Sequence, residues 1–358
     1  MKKLTVYQIL TLLLVVQLLL VKLVSYFPGF IEQYYSNGIY PFISKLFRIV
    51  FGWIPFSIGD LYYFLLGSAL VISIYSFIKN KFKDAKYHLF KFGAYVSVFY
   101  FLFHLLWGLN YHRKSLFQTL NIEQKEYSLI ELNELTNSLL TKLKHTHLQL
   151  VSNDTIKVEI PYSKNEIIVK TELGYEALAK KYPQYTYKKV SLKKSLFSLP
   201  LTYMGFSGYM NPLSGEAHVD YLVPKVSLPM ISSHEVAHQL GIASESEANF
   251  IGFLAATKSE DKNFNYSGYI TALRYSISAI HFRDSLAAKE MIEKIPKGVL
   301  KNIKESQDFW QSYQNAAEPF FKLFYDNYLK ANRQKDGMQS YSKMVNLLVA
   351  YNEKYGIE

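Results

Sequence analysis

Three unbroken apolar stretches dominate the first third of the chain: ILTLLLVVQLLLVKLVSYF (9–27), LYYFLLGSALVISIYSFI (61–78) and FGAYVSVFYFLFHLLWGL (92–109). Each is long enough to cross a hydrocarbon core of about 30 Å as a helix. Only Lys22 and His104 interrupt them with ionisable groups. Lys22 lies near the end of its run, where a long side chain can carry its ammonium to the interface. The pattern predicts an anchor over residues 1–110 with three transmembrane helices. No small-residue cleavage site follows the first run, so it reads as a retained anchor and not as a signal peptide.

Beyond Asn110 polar residues return at ordinary frequency. SLIELNELTNSLLTKLKHTHLQL (128–150) sets Ile130, Leu132, Leu135, Leu139, Leu140 and Leu143 at helical spacing. ELGYEALAKKYP (172–183) predicts a second helix, closed by Pro183. AHVDYLV (217–223) alternates and is rich in branched and aromatic residues, as a strand would be. From about residue 245 the periodicity is helical to the end. Residues 111–358 therefore predict one mainly helical α+β domain with a small sheet.

Charge orients the anchor. The segment 79–91 carries Lys79, Lys81, Lys83, Lys86 and Lys91 against a single Asp84, and Lys2 and Lys3 begin the chain. The loop between the first two runs has only Lys45 and Arg48. The positive-inside rule then puts residues 1–8 and 79–91 in the cytoplasm of a bacterial inner membrane and residues 111–358 outside it. Within the outer loop, YPFISKLFRIVFGWIPF (40–56) suits a helix lying along the interface. The bilayer is thus one predicted partner. The net charge of +11 comes with no basic–aromatic nucleic-acid module, so nucleic acid is not expected. The absence of cysteine excludes disulfides and thiolate metal sites.

Candidate chemistry lies in SSHEVAHQLGIASESEAN (232–249). Pro229 suits the first position of a helix and Gly241 its stop. Between them His234 and His238 project from one face, one turn apart, and can ligate one zinc ion. Glu235 flanks them where it can polarise a metal-bound water. The other side chains of the segment, among them Ser232, Ser233, Val236 and Ala237, are uncharged, as in a buried helix. Ser244 and Glu247 have the spacing of a capping box, so a second helix should begin at Glu245. Glu245 and Asn249 then share a face.

The E-x-x-x-N spacing resembles the E-x-x-x-D of glutamate-type zincins, and that resemblance implies Glu245 as third zinc ligand with Asn249 steadying a ligand histidine. The gap from His238 to Glu245 is short for that class, and asparagine replaces aspartate. H-E-x-x-H-x-x-G also resembles the metzincins, with Ser244 where their third histidine stands. Glu247 is the alternative ligand if Glu245 serves the helix cap. Tyr269 and Arg274 are candidates for oxyanion stabilisation, though a helix with the tyrosine in the core and the arginine exposed is the simpler reading. GEAHVDY (215–221) contains a strand where zincins keep the edge that pairs with extended substrate, and alternation puts His218 and Asp220 on its polar face.

With PFSIGDL (55–61), WGLNYHR (107–113) and GEAHVDY, nearly the whole chain resembles a family of uncharacterised membrane proteins of Bacteroidetes-type genomes. The resemblance implies the same zincin motif. The expectation is a membrane-anchored zinc metallopeptidase acting on a peptide or cell-envelope amide outside the membrane. The alternatives are a transport or permease-like component and a silent zincin scaffold that binds a partner.

Overall fold

A computed structural model describes residues 4–332 and 341–357, and most of them are helical. The chain opens with α1 (Val6–Val24), then α2 (Pro28–Phe30), a π-helical stretch (Ile31–Ile39) and α3 (Tyr40–Phe51). α4 (Ile58–Lys79) and α5 (Ala85–Leu106) complete this part. α1, α4 and α5 have mean hydropathies of 2.2, 1.9 and 1.6, and each is long and apolar enough to cross a membrane. α3 is amphipathic as predicted. Tyr40, Ser44 and Arg48 face inward at four-residue spacing, while Phe42, Leu46 and Ile49 are exposed on the other side.

The remaining elements are α6 (Leu116–Thr119), α7 (Leu129–Leu150), α8 (Lys164–Ala179), β1 (Leu192–Lys194), α9 (Ser198–Met204), β2 (Gly208–Met210), β3 (Ala217–Val219), α10 (Leu228–Gln239), α11 (Glu245–Lys258), α12 (Lys262–His281), α13 (Ser285–Glu293), α14 (Lys297–Ser312), α15 (Glu318–Ala331) and α16 (Tyr341–Tyr355). One continuous apolar core runs through them. α7 contributes Leu132, Leu135, Leu139, Leu140 and Leu143 to it, whereas Ile130 is exposed. The Ser128–Glu131 capping box starts that helix one residue after the predicted start.

The sheet corrects one expectation. Its order is β1-β3-β2, with β1 parallel and β2 antiparallel to β3. The predicted strand is therefore central, and β1 and β2 are the edges. His218 and Asp220 are buried, not solvated. The cause is the start of α4, which packs over His218, and α9, which covers Asp220. Ser57 Oγ meets His218 Nε2 at 2.6 Å, and Glu216 accepts the Gly59 amide at 2.5 Å. Lys193 donates to the other Glu216 oxygen at 2.5 Å and to the carbonyls of Phe51 and Phe56. Asp60 in turn accepts from Ser195, the Leu196 amide and Tyr209. Thr202 and the Leu222 amide donate to Asp220. Each of these carboxylates is satisfied, which is the condition for burying them.

A second set of contacts joins the anchor to α10. The last carbonyls of a helix have no partner within it. Here Trp107 Nε1 donates to the His238 carbonyl at 2.9 Å, and Tyr40 and Ser44 both donate to that of Gln239 at 2.8 Å. Residue 110 marks where the apolar spans end, and the packing continues across it.

Candidate metal centre

α10 and α11 form a tight helical hairpin. Pro229 stands in the first turn of α10, and Gly241 ends it at φ +87°, a left-handed conformation that glycine takes without steric cost. Arg113 donates to the Gly241 carbonyl at 3.0 Å and pairs with Glu32 through two bonds of 2.9 and 2.7 Å. The turn is thereby tied to the π-helical stretch. α11 begins at Glu245 as predicted, but the reciprocal cap is not made. Ser244 Oγ lies 3.0 Å from Ser246 Oγ, while Glu247 accepts the Leu116 amide at 2.8 Å. Gly252 lets the helices touch, since a Cβ there would stand 2.8 Å from the His234 nitrogen.

This packing brings three side chains together. His234 Nε2 and His238 Nε2 are 3.0 Å apart. Glu245 puts Oε2 3.3 Å from the first and Oε1 3.4 Å from the second. Glu235 has a ligand atom within 4.8 Å of those of both histidines, so two carboxylates border the imidazole pair. Tyr325 donates to Glu245 Oε1 at 2.6 Å. The Nδ1 of His238 lies 2.7 Å from the Ile242 carbonyl, to which it donates, so the neutral form of the ring keeps its lone pair on Nε2. Among the described residues, His234 Nδ1 and Glu235 Oε2 are buried without a hydrogen-bond partner.

The electrostatics are those of a cluster that attracts positive charge. Burial raises the Glu235 carboxyl to about 7. Burial opposes the charge on His238, yet the carboxylate of Glu245 and then that of Glu235 push its imidazole up to about 9. Burial also opposes charge on Glu245, but the two histidines hold it well below the usual carboxylate range. Burial first, and Glu245 next, keep Tyr325 a neutral donor.

The fit to zinc can be tested on distances. Four ligands at about 2.0–2.1 Å in a tetrahedron stand roughly 3.3–3.4 Å from one another. The 3.0 Å between the two imidazole nitrogens, and the 3.3 and 3.4 Å from them to the two oxygens of Glu245, are close to the edge lengths of that figure. Glu235 and a cavity of about 1600 Å³ adjoin the cluster.

The other candidates are placed differently. Glu247 is spent on the Leu116 amide and on the Arg113 side of the fold. Asn249 lines the cavity but shows no hydrogen bond to either histidine among the described residues, and the Ile242 carbonyl fills the steadying role. Tyr269 packs in the core, 6.2 Å from the ring of Phe253, because its face of α12 turns inward. Arg274, one face over, is exposed on the cavity wall. Tyr325 and Trp107 were not anticipated. No spacing links residue 325 to 245, although WGLNYHR contains Trp107.

A family model described as "Protein of unknown function (DUF3810)" matches residues 35–349, from the π-helical stretch to α16. No curated protein and no solved structure matches this chain.

Proposed function

The chain belongs to that family of unknown function, and we propose that it is a membrane-bound zinc-dependent hydrolase of peptide or amide bonds, zincin-like in its site, with that site on the extracytoplasmic side. The observation that carries the reading is the convergence of His234, His238 and the Glu245 carboxylate, whose facing atoms stand 3.0 to 3.4 Å apart, spacings that suit ligands of one zinc ion. When bound there, zinc would supply an acidified water and polarise the scissile carbonyl.

The chain's own groups do the rest. Glu235 takes the proton of the attacking water on Oε2, the buried oxygen that lacks a partner, and returns it to the leaving amine. The Ile242 carbonyl fixes the His238 tautomer, and Tyr325 fixes the Glu245 carboxylate. Gly208 of the edge strand β2 comes close enough that a Cβ there would meet Glu235 Oε1 at 2.5 Å, so this strand runs beside the base. Extended substrate can pair with it. The sidedness rests on the lysines of 79–91, at the far end of α4 and α5 from the cluster.

The test is metal content and turnover of the full chain in detergent. Wild type should contain one zinc per chain and His234→Ala should lose it. Glu235→Gln should keep zinc but lose about two to four orders of magnitude in hydrolysis. Zinc-free wild type, or undiminished cleavage by Glu235→Gln, overturns the reading.

A further inference from the structure

The cavity over the cluster does not end at the domain. Its wall continues onto Leu18 and Val21 of α1, Tyr63 of α4, and Phe99 and Phe103 of α5. Leu18 and Phe99 lie six and seven residues before the ends of their helices, so at 1.5 Å per residue the opening descends roughly 10 Å along the spans. The volume of about 1600 Å³ exceeds the roughly 300–1,000 Å³ usual for small-molecule sites.

The spans are arranged to leave this opening. α1 and α5 pack together, joined by Gln17 to Ser97 at 3.3 Å and by Thr11 to the Phe90 carbonyl at 2.9 Å. α4 packs along neither of them. It meets α5 at the basic turn, where the Phe77 ring lies 4.9 Å from that of His88. At the other end Tyr63 and Phe99 both line the cavity. Its rim includes Phe324 of α15, which is exposed, with Phe320 exposed one turn before it. An aqueous entrance would gain nothing from that rim, whereas a bilayer would cover it. Trp107, at the end of α5, bonds to the His238 carbonyl, so the cluster stands at the level where that span ends.

We propose that the cleft between α4 and the α1–α5 pair is a lateral entry from the bilayer, and that the substrate is a polypeptide anchored by its own apolar segment and cut within a few residues of that segment. This rests on the zinc-hydrolase reading above. Hydrocarbon of some kind fills such a cleft in a membrane. Only an apolar segment continuous with a peptide chain would present a scissile bond to the histidines while its anchor stays in lipid. The edge strand β2, beside Glu235, would receive the emerging chain in extended form.

The experiment uses the full chain in nanodiscs of phosphatidylethanolamine and phosphatidylglycerol, with zinc content measured on the same sample. One probe is a peptide hydroxamate joined by a four-residue spacer to an apolar helix of about 20 residues. The second is the same hydroxamate without the helix, and the third carries a fatty acyl chain in its place. The chain has no cysteine, so Tyr63→Cys with Phe99→Cys can be bridged across the cleft by a reducible thiol cross-linker. The helix-bearing probe should bind about a hundredfold more tightly than the soluble one. Bridging should abolish that advantage, leave the soluble probe and zinc content unchanged, and be reversed by reduction. If zinc is present but bridging weakens both probes alike, or neither, the lateral route is wrong. Equal binding of the acyl probe would replace a polypeptide by a lipid and overturn the substrate class. Zinc-free wild type would remove the hydrolase reading and this inference together.

Discussion

Gly252→Ala alters no proposed ligand and tests whether helix packing sets the metal geometry. The added Cβ would lie 2.8 Å from the His234 nitrogen, 3.0 Å from its Cα and 3.1 Å from the Ser233 carbonyl carbon. All three are backbone atoms of α10, so no side chain can swing aside. Ordinary contact begins at 3.4 Å, and α10 must retreat from α11 by roughly 0.6 Å. That movement separates His234 and His238 from Glu245, which is on the other helix. The nitrogen–oxygen distances of 3.3 and 3.4 Å would open toward 4 Å, beyond the tolerance of about 0.2 Å for a ligand position. Overpacking should cost about 1–3 kcal/mol of stability, and zinc affinity should fall about 10–100-fold, the range for disturbing a ligand's support. The assay is chelator competition on the detergent-solubilised chain, with thermal unfolding measured in parallel. Gly67→Ala, where a Cβ has nothing within 4 Å, is the control. Wild-type zinc affinity in Gly252→Ala would refute the reasoning, because the hairpin would not then hold the ligands in place.

Three other outcomes are expected. Glu245→Ala should abolish zinc binding in a metal-content assay, whereas Glu247→Ala should keep it and lower thermal stability by freeing the Leu116 amide. Lys193→Met should cost about 3–5 kcal/mol in thermal or denaturant unfolding, because it leaves the Glu216 carboxylate buried without its cation; Lys193→Met with Glu216→Gln should recover much of that loss. Reporter fusions at residues 85 and 130 should read cytoplasmic and exported respectively, and the reverse pattern would place the site in the cytosol.

What could be read from the sequence depended on whether the signal was local. The three spans, the α10 stop at Gly241 and the start of α11 at Glu245 are written in contiguous residues. So is the shared face of His234 and His238. Polar positions whose partners are distant misled. His218 and Asp220 alternate like solvent-facing strand residues, yet Ser57 and Thr202 cover them. Ser244 and Glu247 have capping-box spacing, but Leu116 offers Glu247 a better-placed amide. Tyr269 and Tyr325 are both tyrosines on helices, and only the tertiary packing sends one to the core and the other to Glu245.

The helix that bears the histidines is held mainly by groups from outside its own hairpin. Trp107, Tyr40, Ser44 and Arg113 occupy carbonyls at its C-terminal end and turn, and Tyr175 donates to the Ser233 carbonyl at 2.5 Å. The strand beside it is clamped by the first turn of α4 through Glu216 and Asp60. A soluble hydrolase tethered by a flexible stalk would need none of these contacts, and each buries polar groups that had to be satisfied one by one. Detaching residues 1–113 would leave the carbonyls of His238, Gln239 and Gly241 without these donors and open the polar face of β3. The membrane part is thus a structural wall of the site. On the lateral-entry proposal, the opening between its helices is the side from which the substrate arrives.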